Sequence, residues 1–210
     1  MAYVGRPEYL PGEFTTGGNS SRDFMPKSSV PEVDFEFLRL FKAFELPPRA
    51  VREGLVSNFL TYCSPWMPVA DVEDLQIQSL QNGADSRSAQ QGHTSLLLTQ
   101  AVFVAGSRVP SSRLPYANSA LFYNRAKALF FADFEPDPLK TISALCLLQW
   151  YNPSGPEHVS IHSGGFWLRA AVALAYQIGL HREPDPRSPD CKLRRRLFWT
   201  LFVGSPIHCT

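Results

Sequence analysis

The sequence predicts an all-α fold. Three observations lead there: apolar residues recur at helical spacing in one segment after another, no run of four or more residues alternates as a strand would, and β-branched residues are sparse inside the apolar segments. With 44% hydrophobic and 19% charged residues in 210, the composition is that of a globular chain. The length suits one domain, or one domain with an arm. We expect a disordered arm over 1–32, a bundle-like domain of about eight helices over 33–203, and a tail over 204–210.

The arm is read from TTGGNSS and PKSSVP, where no apolar period survives a helical turn. From Val33, Phe37, Phe41 and Phe44 recur at i, i+4 and i+7, with Glu36, Arg39 and Lys42 opposite, which predicts an amphipathic helix. Pro47-Pro48 stops it. Pro48 then suits the first position of a second helix, striped by Val51, Leu55, Phe59 and Tyr62. After the apolar turn Ser64-Pro-Trp-Met-Pro68, Asp71 predicts a third, short helix, with Asp74 favourable in its first turn. Residues 82–93 form a polar break. Leu96 to Arg108 is apolar nearly all round, the pattern of a buried central helix. A loop over 110–115 leads to a helix over about 117–132, whose stripe Phe122, Ala126, Leu129 reads as core. Asp137-Pro138 is a cap followed by a proline start for a helix through Ile142, Leu145, Leu148 and Trp150. After a loop over 152–165, Leu168, Ala171, Val172, Ala175 and Ile178 mark a helix rich in small residues. Ser188-Pro189 opens the last one, with Leu193, Leu197 and Leu201 in line.

Charge and patterning narrow the function. Twenty Lys and Arg against nineteen Asp and Glu leave +1, which argues against a generic polyanion binder. The longest apolar stretch, Ala170 to Tyr176, is far short of the ~20 residues of a spanning helix. The first residues, MAYVGRPEYLPGEF, carry Pro and Glu where a signal peptide has its apolar core. We therefore expect no secretion and no membrane. The four cysteines, Cys63, Cys146, Cys191 and Cys209, form no CxxC, so they read as buried or idle thiols.

A search for chemistry returns little. Glu157, His158 and His162 resemble a zinc protease only loosely, because the glutamate precedes both histidines and prolines and glycines flank the segment. His162-Ser-Gly-Gly165 has no GxSxG nucleophile to serve, and neither a phosphate loop nor a dinucleotide fingerprint occurs. Lys192, Arg194, Arg195 and Arg196 form a basic run, with Arg187 near it and Asp190 opposing it, which reads as a solvated or salt-bridged helix face. Arg195 and Trp199 have the spacing of a cation–π pair. We assign no catalytic, cofactor-binding or metal-ligating residue and expect a protein that is not an enzyme.

Two blocks carry a resemblance. Phe166-Trp-Leu-Arg-Ala-Ala-Val-Ala-Leu-Ala-Tyr-Gln-Ile-Gly-Leu-His-Arg182, followed by Arg194-Arg-Arg-Leu-Phe-Trp-Thr-Leu-Phe202, resembles the regulatory domain of fungal binuclear-zinc-cluster transcription factors. Leu46-Pro-Pro48 through Tyr62, Pro65 to Asp71, Ala126 to Leu129 and Ser143 to Tyr151 extend it over about 40–203. Within the family the details sit nearest the cutinase and fatty-acid-response type. The resemblance implies a nuclear, non-catalytic domain that senses a metabolite or controls an activation segment, with protein partners such as a second copy or a full-length relative. The alternative is a stand-alone helical interaction or dimerisation protein, or a gene-model fragment, without DNA-binding activity. The family's six-cysteine zinc cluster, and the DNA binding it confers, match no residues here, so zinc and DNA are carried over to no position. The family pattern also continues past Phe202, so the expectation is a chain cut short at both ends. The helix from Phe166 and the helix from Leu193 should pack together, with Leu197, Phe198 and Trp199 buried against Ala171 and Ala175.

Overall fold

The structure, a computed structural model, describes residues 32–71, 95–109, 118–152, 160 and 162–204. Among the described residues seven α-helices follow one another: α1 (Glu32–Leu40), α2 (Arg49–Asn58), α3 (Leu96–Ser107), α4 (Ser119–Phe131), α5 (Pro138–Leu148), α6 (Gly164–Gln177) and α7 (Cys191–Gly204). The described residues contain no strand, so the all-α expectation holds. The short helix expected from Asp71, the loop over 110–115, and nearly all of the arm and tail lie outside the described residues.

α3 is the axis of the domain. Every residue from Leu96 to Gly106 is buried, as an all-round apolar helix must be when α2, α4 and α5 all pack on it. The Ser95 hydroxyl accepts the Leu98 N–H at 3.1 Å and caps its start. At its other end Gly106 lets two backbones meet: a Cβ there would lie 2.2 Å from the Leu55 carbonyl oxygen. The adjoining stretch of α2 continues as a π-helical turn, Phe59–Cys63, closed by the Ser64 N–H donating to the Phe59 carbonyl at 2.9 Å. The extra residue in that turn rotates the face. Cys63 is therefore buried where the stripe predicts Tyr62, which is exposed instead.

Two more expectations need correcting near the start. The face of α1 that packs inward carries Leu38, fully buried, with Phe35 half-buried; Phe37 and Phe41 lie outside it, 41% and 37% exposed. The helix ends at Leu40, and Lys42 takes a left-handed conformation (φ 53°). Ala43 N–H bonds the Leu38 carbonyl at 3.0 Å and Lys42 N–H the Arg39 carbonyl at 2.9 Å, which is a Schellman end. The reversal brings Phe44 back against Phe35 and Phe134, so a single helical period cannot run through 37, 41 and 44. Pro48 caps α2 rather than entering it.

The later helices start where side chains can cap them. Asn118 accepts the N–H groups of Ala120 and Leu121, and Asp137 accepts that of Leu139 at 2.9 Å with Pro138 first in the helix. α6 begins earlier than its sequence suggests. Ser163 accepts the Phe166 N–H at 3.3 Å, so Gly164 and Gly165 form the first turn instead of ending the loop.

Candidate functional site

The two blocks that carry the family resemblance become α6, the turn after it, and α7. Trp167 anchors the first block. It is fully buried, and its indole N–H donates to the Tyr123 hydroxyl at 3.0 Å. That hydroxyl also lies 3.3 Å from His162 Nδ1, while the Tyr123 ring packs on Tyr151 at 4.5 Å. Burial pushes the Tyr123 phenol up, against the opposing pull of the Trp167 hydrogen bond. One turn and two turns on, Ala171 and Ala175 are buried, and their small side chains leave room for α7 to lie close.

α6 ends at a glycine that the geometry requires. Gly179 has φ +69°, its N–H bonds the Tyr176 carbonyl at 3.1 Å, and the Leu180 N–H bonds the Ala175 carbonyl at 2.8 Å. This Schellman motif buries Leu180 beside Ala175 and projects His181 and Arg182 past the helix C-terminus, where cations are favoured.

α7 docks through one stripe. Cys191, Leu197 and Leu201 are buried, and Leu193 and Phe198 are half-buried. Trp199 is not buried: 59% of it is exposed, together with Phe202, Val203 and, across the seam, Tyr176. The expectation fails on helical geometry, since Leu197 and Leu201 define the inward face and position 199, midway between them, points away. The basic run reads as expected of a salt-bridged face. Arg194 pairs with Asp190 at 2.6 Å, Arg195 with Glu183, and Arg196 with Asp71. Arg195 thus turns toward Glu183 instead of stacking on Trp199. Burial raises Asp190, but the Ser188 hydroxyl and Arg194 outweigh it and hold its carboxyl below the usual range.

The seam between α6 and α7 opens into a pocket of about 220 Å³, lined mainly by Val172, Ala175, Leu180, Phe198 and Leu201, with Tyr176, His181 and Phe202 at its rim. A second, polar cleft shares Leu180, His181 and Phe198 with it and adds Arg182, Glu183, Arg194, Arg195 and Trp199. Apolar seam and cationic mouth are therefore continuous.

The other chemical candidates are otherwise engaged. His162 meets Tyr123; Glu157, His158 and Cys209 lie outside the described residues. Among the described residues no group of three or more histidine, cysteine or acidic side chains is placed to hold a metal. Burial raises the Cys63 thiol and pushes that of Cys146 up to about 12, and Cys191 is buried too. Sequence reading missed one polar device. Gln100, in the middle of α3, donates to the carbonyls of Ala43 and Glu45, while Arg125 of α4 donates to the Glu45 carbonyl and carboxylate. The signal was available: a glutamine inside an otherwise apolar helix requires a buried partner.

The family model described as fungal specific transcription factor domain matches residues 56–208. Cutinase transcription factor 1 alpha of Fusarium vanettenii is 30% identical over 200 residues, covering 86% of this chain and 21% of that protein. Cutinase transcription factor 1 beta of the same fungus is 29% identical, over 84% of this chain and 20% of its own length. The acetamidase regulatory protein of Aspergillus fumigatus is 30% identical, over 77% and 21%. The chain thus spans about a fifth of the length of the curated relatives it matches. No solved structure matches it. On the family match, which covers both the α6 and α7 blocks, the chain belongs to the fungal-specific transcription factor domain family.

Proposed function

We propose that this chain is the regulatory domain of a fungal transcription factor, active in the nucleus on RNA polymerase II genes of carbon or lipid metabolism. The observation that carries the reading is the family match over 56–208, joined to relatives named for cutinase and acetamidase control. The domain works by binding and not by covalent chemistry. Its described thiols are buried, the three arginines of the α7 run are ion-paired, and His162 is held by Tyr123. Zinc and direct DNA contact are assigned to a module outside these 210 residues.

A second reading has an observation of its own. Tyr176, Trp199, Phe202 and Val203 stand exposed on neighbouring faces of α6 and α7, a composition suited to a protein interface. On it, the chain acts as a helical interaction partner for a second copy or for a full-length relative.

Fusing the chain to a heterologous DNA-binding module above a reporter, in a fungal host, tests the first reading. Reporter output should change with carbon source, and a fluorescent fusion should be nuclear. Output equal to that of the DNA-binding module alone on every carbon source, with the fusion nuclear and intact, would refute it.

A further inference from the structure

We propose that Ser188 is a phosphorylation site for a proline-directed serine/threonine kinase, and that Arg194 and Lys192 hold the phosphate, fastening α7 to the turn that follows α6. The inference is independent of the transcriptional reading.

The acceptor is singled out by its surroundings. The sequence offers three Ser-Pro pairs, at Ser64, Ser188 and Ser205, and no Thr-Pro. Of these serines only Ser188 has a lysine or arginine within five residues on either side. It stands between α6 and α7, half-buried, with Arg187 and Pro189 exposed beside it and Pro184 and Pro186 upstream. A kinase that selects proline after its acceptor thus finds both residues at the surface. Ser64 instead closes the π-helical turn, with its N–H donated to the Phe59 carbonyl.

The hydroxyl faces groups that can receive a phosphate. Ser188 Oγ donates to Asp190 Oδ1, and Arg194 Nε donates to Oδ2 of the same carboxylate at 2.6 Å. Hydroxyl and guanidinium therefore sit on the two oxygens of one group. Phosphate oxygens, which extend beyond Oγ, come within reach of Arg194 without movement of the helix. Lys192 and Arg187 are exposed and make no ion pair among the described residues. Lys192 also lines an open cleft with Pro189 and Asp190. Arg195 and Arg196, in the same cleft, are already paired with Glu183 and Asp71. A phosphoserine carries a charge of about −1.5 to −2 at neutral pH, against the single charge of Asp190. Arg194 gains by exchanging the carboxylate for the phosphate, which its planar fork fits. Asp190, whose side chain is partly exposed, turns to water.

The chemistry needs ATP as co-substrate. Ser188 Oγ attacks the γ-phosphorus, the bond from that phosphorus to the β–γ bridging oxygen breaks, and ADP leaves with the electron pair. The hydroxyl proton passes to the kinase's catalytic carboxylate.

The test is incubation of the whole purified chain with a proline-directed kinase and ATP, followed by intact mass, site mapping and thermal melts. One phosphate per chain should appear at Ser188. Ser188→Ala should remove it, and Pro189→Ala should slow its addition severalfold. At low salt the phosphorylated chain should melt about 2–4 °C above the unmodified one, the scale of one charge-assisted contact in a chain of this length. The gain should shrink at about 1 M salt, where the Debye length is about 3 Å. In Lys192→Gln and Arg194→Gln, each compared with its own unmodified form, the gain should be largely lost, whereas Arg169→Gln on α6 should keep it. Phosphate on Ser64 or Ser205 with none on Ser188, or modification of Ser188 only once denaturant is present, would overturn the acceptor assignment. A phosphorylated chain that melts no higher, or a gain that survives both substitutions on α7, would overturn the fastening. None of these readouts involves transcription, so either failure leaves the transcriptional reading standing.

Discussion

Adjacent glycines at the start of α6 should respond to the same substitution with opposite signs. A Cβ on Gly164 would lie 2.5 Å from the Gln149 carbonyl oxygen and 3.4 Å from its carbon. Both atoms belong to backbone at the end of α5, so neither can rotate away. Gly164→Ala must therefore push α6 off α5, and overpacking of this kind costs about 1–3 kcal/mol. The helix-propensity gain over glycine returns about 0.5–1 kcal/mol, leaving a net loss of about 1–2 kcal/mol. At Gly165 a Cβ meets nothing closer than the Arg169 guanidinium at 3.7 Å. Gly165→Ala keeps the whole propensity gain and should stabilise by about 0.5–1 kcal/mol. Urea titrations followed by far-UV circular dichroism would separate the two midpoints, with the slope unchanged in both. Equal effects of either sign would refute the close approach of α6 to the end of α5.

Trp167→Ala should cost about 3–5 kcal/mol, and Trp199→Ala should stay within about 0.5–1 kcal/mol, because one is enclosed and the other mostly in solvent; chemical denaturation of both variants checks it. Asp190 should stabilise the fold at neutral pH relative to Asp190→Asn. Its folded carboxyl is held below the usual range, so the advantage is present above the ordinary carboxylate pKa and fades as pH falls through the depressed value, as melts of the pair from pH 7 to 3 would show. Cys63, Cys146 and Cys191 are buried, and the first two are held protonated, so at pH 8 a colorimetric thiol reagent should titrate them only after denaturant is added.

Much of the fold was legible from the sequence because its determinants are local. The cap at Asp137, the proline after it, and the all-round apolar run of α3 each act within a few residues, and each is realised. The glycine at 179 was also readable, since a left-handed helix end calls for that residue. What failed depended on partners distant in sequence or on an irregular turn. The stripe through Tyr62 assumed one unbroken helix, but the π turn at Phe59–Cys63 hands the buried position to Cys63. The stripe through Phe37 and Phe41 assumed a helix that Lys42 reverses. Burying Trp199 together with Leu197 ignored the helical face; burial follows the face set by Leu197 and Leu201, not the hydrophobicity of each residue. The pocket was illegible for the same reason, being a gap between two helices whose separation no local pattern encodes.

The way α7 is attached says how such a domain could transmit a signal without chemistry. Its buried residues are Cys191, Leu197 and Leu201 alone, whereas α3 is buried along almost its whole length. The surface ion pairs of Arg195 and Arg196 add little, because exposed pairs are screened. Opening of α7 should thus cost far less than global unfolding, since local stability follows buried apolar contact. Anything that contacted both helices across the α6–α7 seam would favour the docked arrangement, and at a hundred times its dissociation constant the shift would be about 2.7 kcal/mol, close to a hundredfold change in the docked-to-open ratio. Trp199, Phe202 and Val203 ride on α7, so the exposed apolar face they form moves with the docking of that helix.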